Sequence, residues 1–179
     1  MPATVFGLPT HALLVHATVV LVPLAAVAVL LHALWPVARR RLGVVTPLLA
    51  LAALVLTPLS TESGEVLERS VGHSALVERH AELADGLLPW TFGLFVVAAG
   101  LWVLDRRRAR ISVPAGDGER REPSPALPRW LPVVATVLAV AAAAGTTVQV
   151  VRIGHAGAQA TWDGVVTSAH SGSGDRDDG

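Results

Sequence analysis

Residues 10–35, THALLVHATVVLVPLAAVAVLLHALW, contain no acidic residue, no lysine and no arginine. At ~1.5 Å rise per residue, a helix of this length exceeds the ~30 Å hydrocarbon core of a bilayer, so the stretch reads as a transmembrane helix. Three histidines interrupt its apolar character: His11 and His16 near its start and His32 near its end. No basic residue precedes it and it is longer than a signal-peptide apolar core, so it is expected to stay in the chain as a first span.

Three further apolar runs follow, and the spans are expected at about 11–35, 43–60, 87–104 and 130–152. With 52% hydrophobic and 16% charged residues, the chain is too apolar for an ordinary soluble domain of its length. The expected fold is therefore all-α: an integral membrane four-helix bundle, residues 1–166, with a polar tail over 167–179 that has nothing to bury and is expected to be disordered. There is no cysteine, so no disulfide, thiolate metal site or iron–sulfur cluster can be built, and histidine is left as the soft nitrogen ligand. No nucleophile elbow, HExxH or phosphate-binding glycine loop occurs, and no nucleic-acid partner is expected.

Charge distribution sets the expected topology. All fourteen basic residues are arginines. Arg39, Arg40 and Arg41 follow the first span, and Arg106, Arg107, Arg108, Arg110, Arg120, Arg121 and Arg129 lie between the third and fourth. Both groups fall on one side of a four-span chain, and the positive-inside rule makes that side cytoplasmic. The N-terminus, the acidic segment 62–86 and the C-terminus are then external. Trp35, Trp90, Trp102 and Trp130 lie near span ends, where indoles favour the headgroup layer.

This topology gathers histidines. His11, His16, His73, His80 and His155 all come to the external face. A helix over 66–84 would put Val66, His73, Leu76, Val77, His80, Leu83 and Ala84 on one stripe, with most carboxylates elsewhere, as ~100° per residue requires. The expectation is an external amphipathic helix between spans 2 and 3, lying along the membrane surface with its apolar side down. His11 and His16 are about 140° apart around a helix and cannot chelate one ion as an i, i+4 pair does. Arg152 follows the fourth apolar run directly, where Glu62, Glu65, Glu82, helix carbonyls, a ligand anion or the headgroups are its candidate partners. Gly154 and Gly157 permit a close turn after the fourth span, the commoner use, or a close approach of backbone to a ligand, and His32 beside Trp35 reads as structural.

The segments PTHALLVH, TPLSTESGEVLE, ERHAELAD and RIGHAGAQATW together resemble the bacterial membrane-protein family called domain of unknown function 2231. The resemblance covers residues 8–166 and rests on His11, His16, Pro23, Gly64, Glu65, His80, Gly154, His155, Gly157 and Trp162. Ala12 stands where many members have proline. The resemblance implies a multi-pass protein of the bacterial plasma (inner) membrane and, by association of related domains with Rieske-type or cytochrome c modules, a redox partner protein. Three functions stay open. One is a redox component with haem b, held by His16, His80 and His155 with Arg152 against a propionate. Another is a divalent-metal site for Zn or Cu, drawn from His11, His16, Glu65, His73, His80 and His155. The third is a structural or accessory subunit of the lipid bilayer, whose polar cluster latches the external helix to the bundle.

Overall fold

The computed structural model describes residues 4–5, 8–69, 74–111, 128 and 130–171, and side chains for 10–66, 69, 74–109, 128 and 130–162. A short antiparallel pair, β1 (Thr4–Val5) with β2 (Leu8–Pro9), leads into α1 (Thr10–Leu34). Then follow α2 (Pro36–Leu42), α3 (Val45–Glu68), α4 (Ala75–Asp85), α5 (Leu87–Ile111) and α6 (Trp130–Ser171). Four helical stretches, Thr10–Leu34, Val45–Val66, Ala75–Ala109 and Trp130–Trp162, are long and apolar enough to cross a membrane. The chain is an all-α, multi-pass membrane bundle.

The spans form a closed ring. α1 packs on α3 and α6, α5 completes the ring against the same two, and the diagonal contact between α1 and α5 is thin. Neighbouring helices are antiparallel in an up-down-up-down order. The interior is built largely from small residues: Ala25, Ala26, Ala33, Ala50, Ala53, Ala98, Ala139 and Ala143 are buried around Val22, Val29 and Leu94. Branched side chains such as Val20, Val27, Leu48, Val137 and Val151 point outward. Lipid tails are as apolar as leucine, so helices in a bilayer gain by close backbone approach at small residues. Gly145 follows the same logic: a Cβ there would collide with the ring of Trp90, which lies directly on α6.

At the arginine end the loop after α1 is itself helical. Trp35 is extended, Pro36 opens α2 at a position where its missing N–H costs nothing, and Gly43 closes α2 at φ 43°. That left-handed backbone favours glycine. Arg39 turns back to donate to the carbonyls of His32 (3.1 Å) and Ala33 (2.9 Å), which the end of α1 leaves without helical partners.

The opposite end departs from the sequence reading in the reach of α3 and of α6, while the amphipathic stripe is found as expected. α3 continues to Glu68, carrying the serine-rich segment on the same helix as the second span. α6 shows no turn at Gly154–Gly157: it runs unbroken to Ser171, and the remaining tail lies outside the described residues. The amphipathic helix is α4, and its burial matches the expected stripe: Leu76, Val77, His80, Leu83 and Ala84 are half-buried, while Glu78, Arg79, Glu82 and Asp85 are exposed. Val66 is on α3 and exposed, and His73 lies outside the described residues.

The orientation of α4 is the main correction. It does not lie across the span ends. Gly86 keeps right-handed helical backbone (φ −64°, ψ −8°), so α4 stacks on α5 with little change of direction. Its contacts descend α6 in antiparallel register, Leu83 at Gln149 and then His80 at Ile153 and Gly157, continuing the α5–α6 pairing of Trp90 with Thr146. The apolar stripe of α4 therefore faces the protruding part of α6, where the expectation had placed a membrane surface.

Candidate functional site

Where α1, α3, α4 and α6 meet, at the end away from the arginines, polar side chains replace the alanine core. His11 lies in the first turn of α1, and it shares its face with Thr18, seven residues on. That face is the buried one, continuing through Val22, Ala25 and Val29. Ser60 and Ser63 project from α3 one turn apart, both buried.

Their hydrogen bonds admit one consistent placement of protons. The Thr18 hydroxyl donates to the Leu14 carbonyl (2.9 Å), leaving its oxygen to accept from Ser60 at 2.6 Å. The Ser63 hydroxyl donates to the Ser60 carbonyl (2.8 Å), so its oxygen accepts from His11 Nδ1–H at 3.1 Å. The same edge of the His11 ring is close to Gly64, where a Cβ would stand 3.1 Å from Cε1 and 3.5 Å from Nδ1. His11 also lies within electrostatic reach of His80.

His80 arrives from α4. Its Nδ1–H donates to the Ile153 carbonyl of α6 at 3.2 Å, and its ring lies against Gly157, where a Cβ would come 3.1 Å from Cε1. Gln149 secures the far end of α4 by donating to the Leu83 carbonyl at 2.7 Å, and Gly86 leaves room for that amide. A carbonyl in the last turn of a helix needs such an outside donor. Glycine thus stands beside both imidazoles, on the neighbouring helix in each case.

The other residues singled out in the sequence do not join this pair. His16 is exposed, on the side of α1 away from Thr18, and its Nδ1–H donates to the Ala12 carbonyl of its own helix. Arg152 and His155 are exposed on α6. Glu65 is exposed at the end of α3, 3.9 Å from Arg69. Among the described residues, no three His, Asp or Glu side chains gather in a way that could hold a metal ion. Both rings are held through Nδ1–H, to the Ser63 hydroxyl and the Ile153 carbonyl, which leaves each Nε2 an acceptor, and among the described residues no third ligating side chain joins them.

A second polar cluster sits at the arginine end, and the sequence reading gave it only His32. This ring is fully buried. Its Nε2–H donates to Asp105 Oδ2 at 2.9 Å, and Nδ1 accepts the Thr46 hydroxyl proton at 3.0 Å. Arg39 Nε stands 3.9 Å from the same carboxylate. Asp105 sits at the head of an arginine run, and its place on the Leu94, Ala98, Leu101 face of α5 was the signal that it points inward.

The geometry defines a class: a four-span membrane bundle with a polar cluster at each end of an apolar slab. Within that class, the family described as Predicted membrane protein (DUF2231) matches residues 7–170, and the chain belongs to it. No curated protein and no solved structure matches the chain.

Proposed function

We propose that this chain is a structural or accessory subunit of a bacterial plasma (inner) membrane, whose histidine cluster holds α4 against the bundle. Both termini and α4 are external and the arginines cytoplasmic, as the positive-inside rule implies. The observation that carries the latch reading is the His80 contact: an N–H of the ring satisfied by the Ile153 carbonyl, with Gly157 giving the ring its place. Buried polar groups that complete each other's hydrogen bonds fix one arrangement of the elements that carry them.

The redox or metal reading keeps one observation in its favour: His11 and His80 stand within electrostatic reach of each other, each with Nε2 left as an acceptor. It would take haem b at His16, His80 and His155 with Arg152, or Zn or Cu at His11, His16, Glu65, His73, His80 and His155. An absorption spectrum of the detergent-purified protein, with metal analysis of the same sample, separates the readings. The latch predicts a colourless, metal-free protein in which His80→Ala lowers stability by ~1–3 kcal/mol through unsatisfied partners and His155→Ala changes little. A chromophore or stoichiometric metal lost in either variant would overturn it.

A further inference from the structure

The outward face of α5 at the arginine end carries a feature that the bundle does not use. α5 buries Leu94, Ala98 and Leu101 and turns Asp105 towards His32, so Val103, Arg106 and Arg107 are exposed and Trp102 is half-buried at the flank of that face. These four residues line a shallow cleft. Its lining is mainly apolar, and both arginine side chains border it. Arg106 is already placed, its guanidinium 4.7 Å from the centre of the Trp102 ring. Stacking of this kind orients the planar fork and leaves its N–H groups directed outward.

Charge completes the description. Among the described residues, neither Arg106 nor Arg107 has a carboxylate in salt-bridge range, and the adjacent Asp105 is committed to His32 and Arg39. Arg40 and Arg41 add exposed positive charge on α2. The cleft lies where a span passes into its arginine cluster, at the depth of the headgroup layer. A ligand that fits must present an anionic phosphate to the two arginines and apolar chain to Trp102 and Val103.

We propose that this cleft is a binding site for the headgroup of an anionic phospholipid, with the phosphate between Arg106 and Arg107 and the first acyl carbons along Trp102 and Val103. Phosphate suits a guanidinium pair through bidentate, charge-assisted hydrogen bonds. A free phosphate would leave the apolar lining uncovered, and a zwitterionic lipid would bring its own cation to the arginines.

Native mass spectrometry of the full-length protein in detergent tests this, with phosphatidylglycerol and phosphatidylcholine of identical acyl chains as probes. Phosphatidylglycerol should be retained selectively. The double variant Arg106→Gln/Arg107→Gln should bind it roughly thirtyfold more weakly, about fivefold for each arginine near an anionic headgroup. The control Arg40→Gln/Arg41→Gln, which removes equal charge from α2, should lose much less, and Trp102→Leu should weaken retention while excess inorganic phosphate does not displace the lipid. Equal retention of phosphatidylcholine would overturn the proposal, as would equal losses in the two double variants. Displacement by excess inorganic phosphate would overturn the lipid as occupant. All four substituted side chains in the double variants are largely exposed, and helicity by circular dichroism confirms that the variants are folded.

Discussion

His32 shows how one buried polar residue can organise four elements. It rises from α1, accepts a hydrogen bond from Thr46 of α3, donates one to Asp105 of α5, and its own carbonyl accepts from Arg39 of α2. An imidazole at zero exposure is tolerable only because both ring nitrogens are satisfied. Asp105→Ala should therefore cost ~1–3 kcal/mol, by leaving His32 Nε2–H without its acceptor. Removing the ring and the carboxylate together should cost less than the sum of the two single changes, because the second change then strands nothing. Chemical unfolding of the single and double variants in detergent measures this. Additive losses would show that the pair is not coupled.

At the scale of the element, α4 is the part whose role depends most on its neighbours. It is eleven residues long and has no buried residue of its own. Ser74 caps its start by accepting from the Val77 N–H at 3.3 Å, and the helix is then held to α6 by His80 and Gln149. A helix this short is marginal in water alone. Removing either anchor, with His80→Ala or Gln149→Leu, should speed hydrogen exchange of α4 amides roughly fivefold, as loss of ~1 kcal/mol implies, while amides of α1 and α5 stay protected. Unchanged exchange in both variants would remove the latch.

The same element marks where the sequence stopped being informative. Its apolar stripe was legible, because spacing at ~100° per residue assigns Leu76, Val77, His80 and Leu83 to one side whatever covers them. What covers them was not legible. Periodicity cannot distinguish a bilayer surface from the flank of another helix, and the covering helix exists only because α6 continues through Gly154–Gly157, which the sequence reading took for a turn. The candidate site divides in the same way. The residue types put His16 in both the haem and the metal set and His11 in the metal set alone, yet only His11 lies in phase with Thr18, Val22 and Val29. That phase becomes visible once the buried face of α1 is known.

On the scale of the whole molecule, the two polar clusters bracket a dry interior. His11 and His32 are twenty-one residues apart on α1, which at ~1.5 Å per residue separates them by ~32 Å, close to the ~30 Å of a hydrocarbon core. Between them the buried positions are chiefly alanine, valine and leucine, and Thr57 donates within its own helix to the Ala53 carbonyl. The ends thus match the two interfaces of a bilayer, and the proposed orientation, with the arginines of α2 and α5 cytoplasmic, follows from the positive-inside rule. Because the chain has no cysteine, single cysteines can report this directly. Glu78 and Arg40 are exposed, at the histidine end and the arginine end respectively. In intact cells a membrane-impermeant maleimide should label Glu78→Cys at once and Arg40→Cys only after permeabilisation. The reverse pattern would invert the protein in the membrane, and labelling of both before permeabilisation would mean that the arginine end is not sealed behind the bilayer.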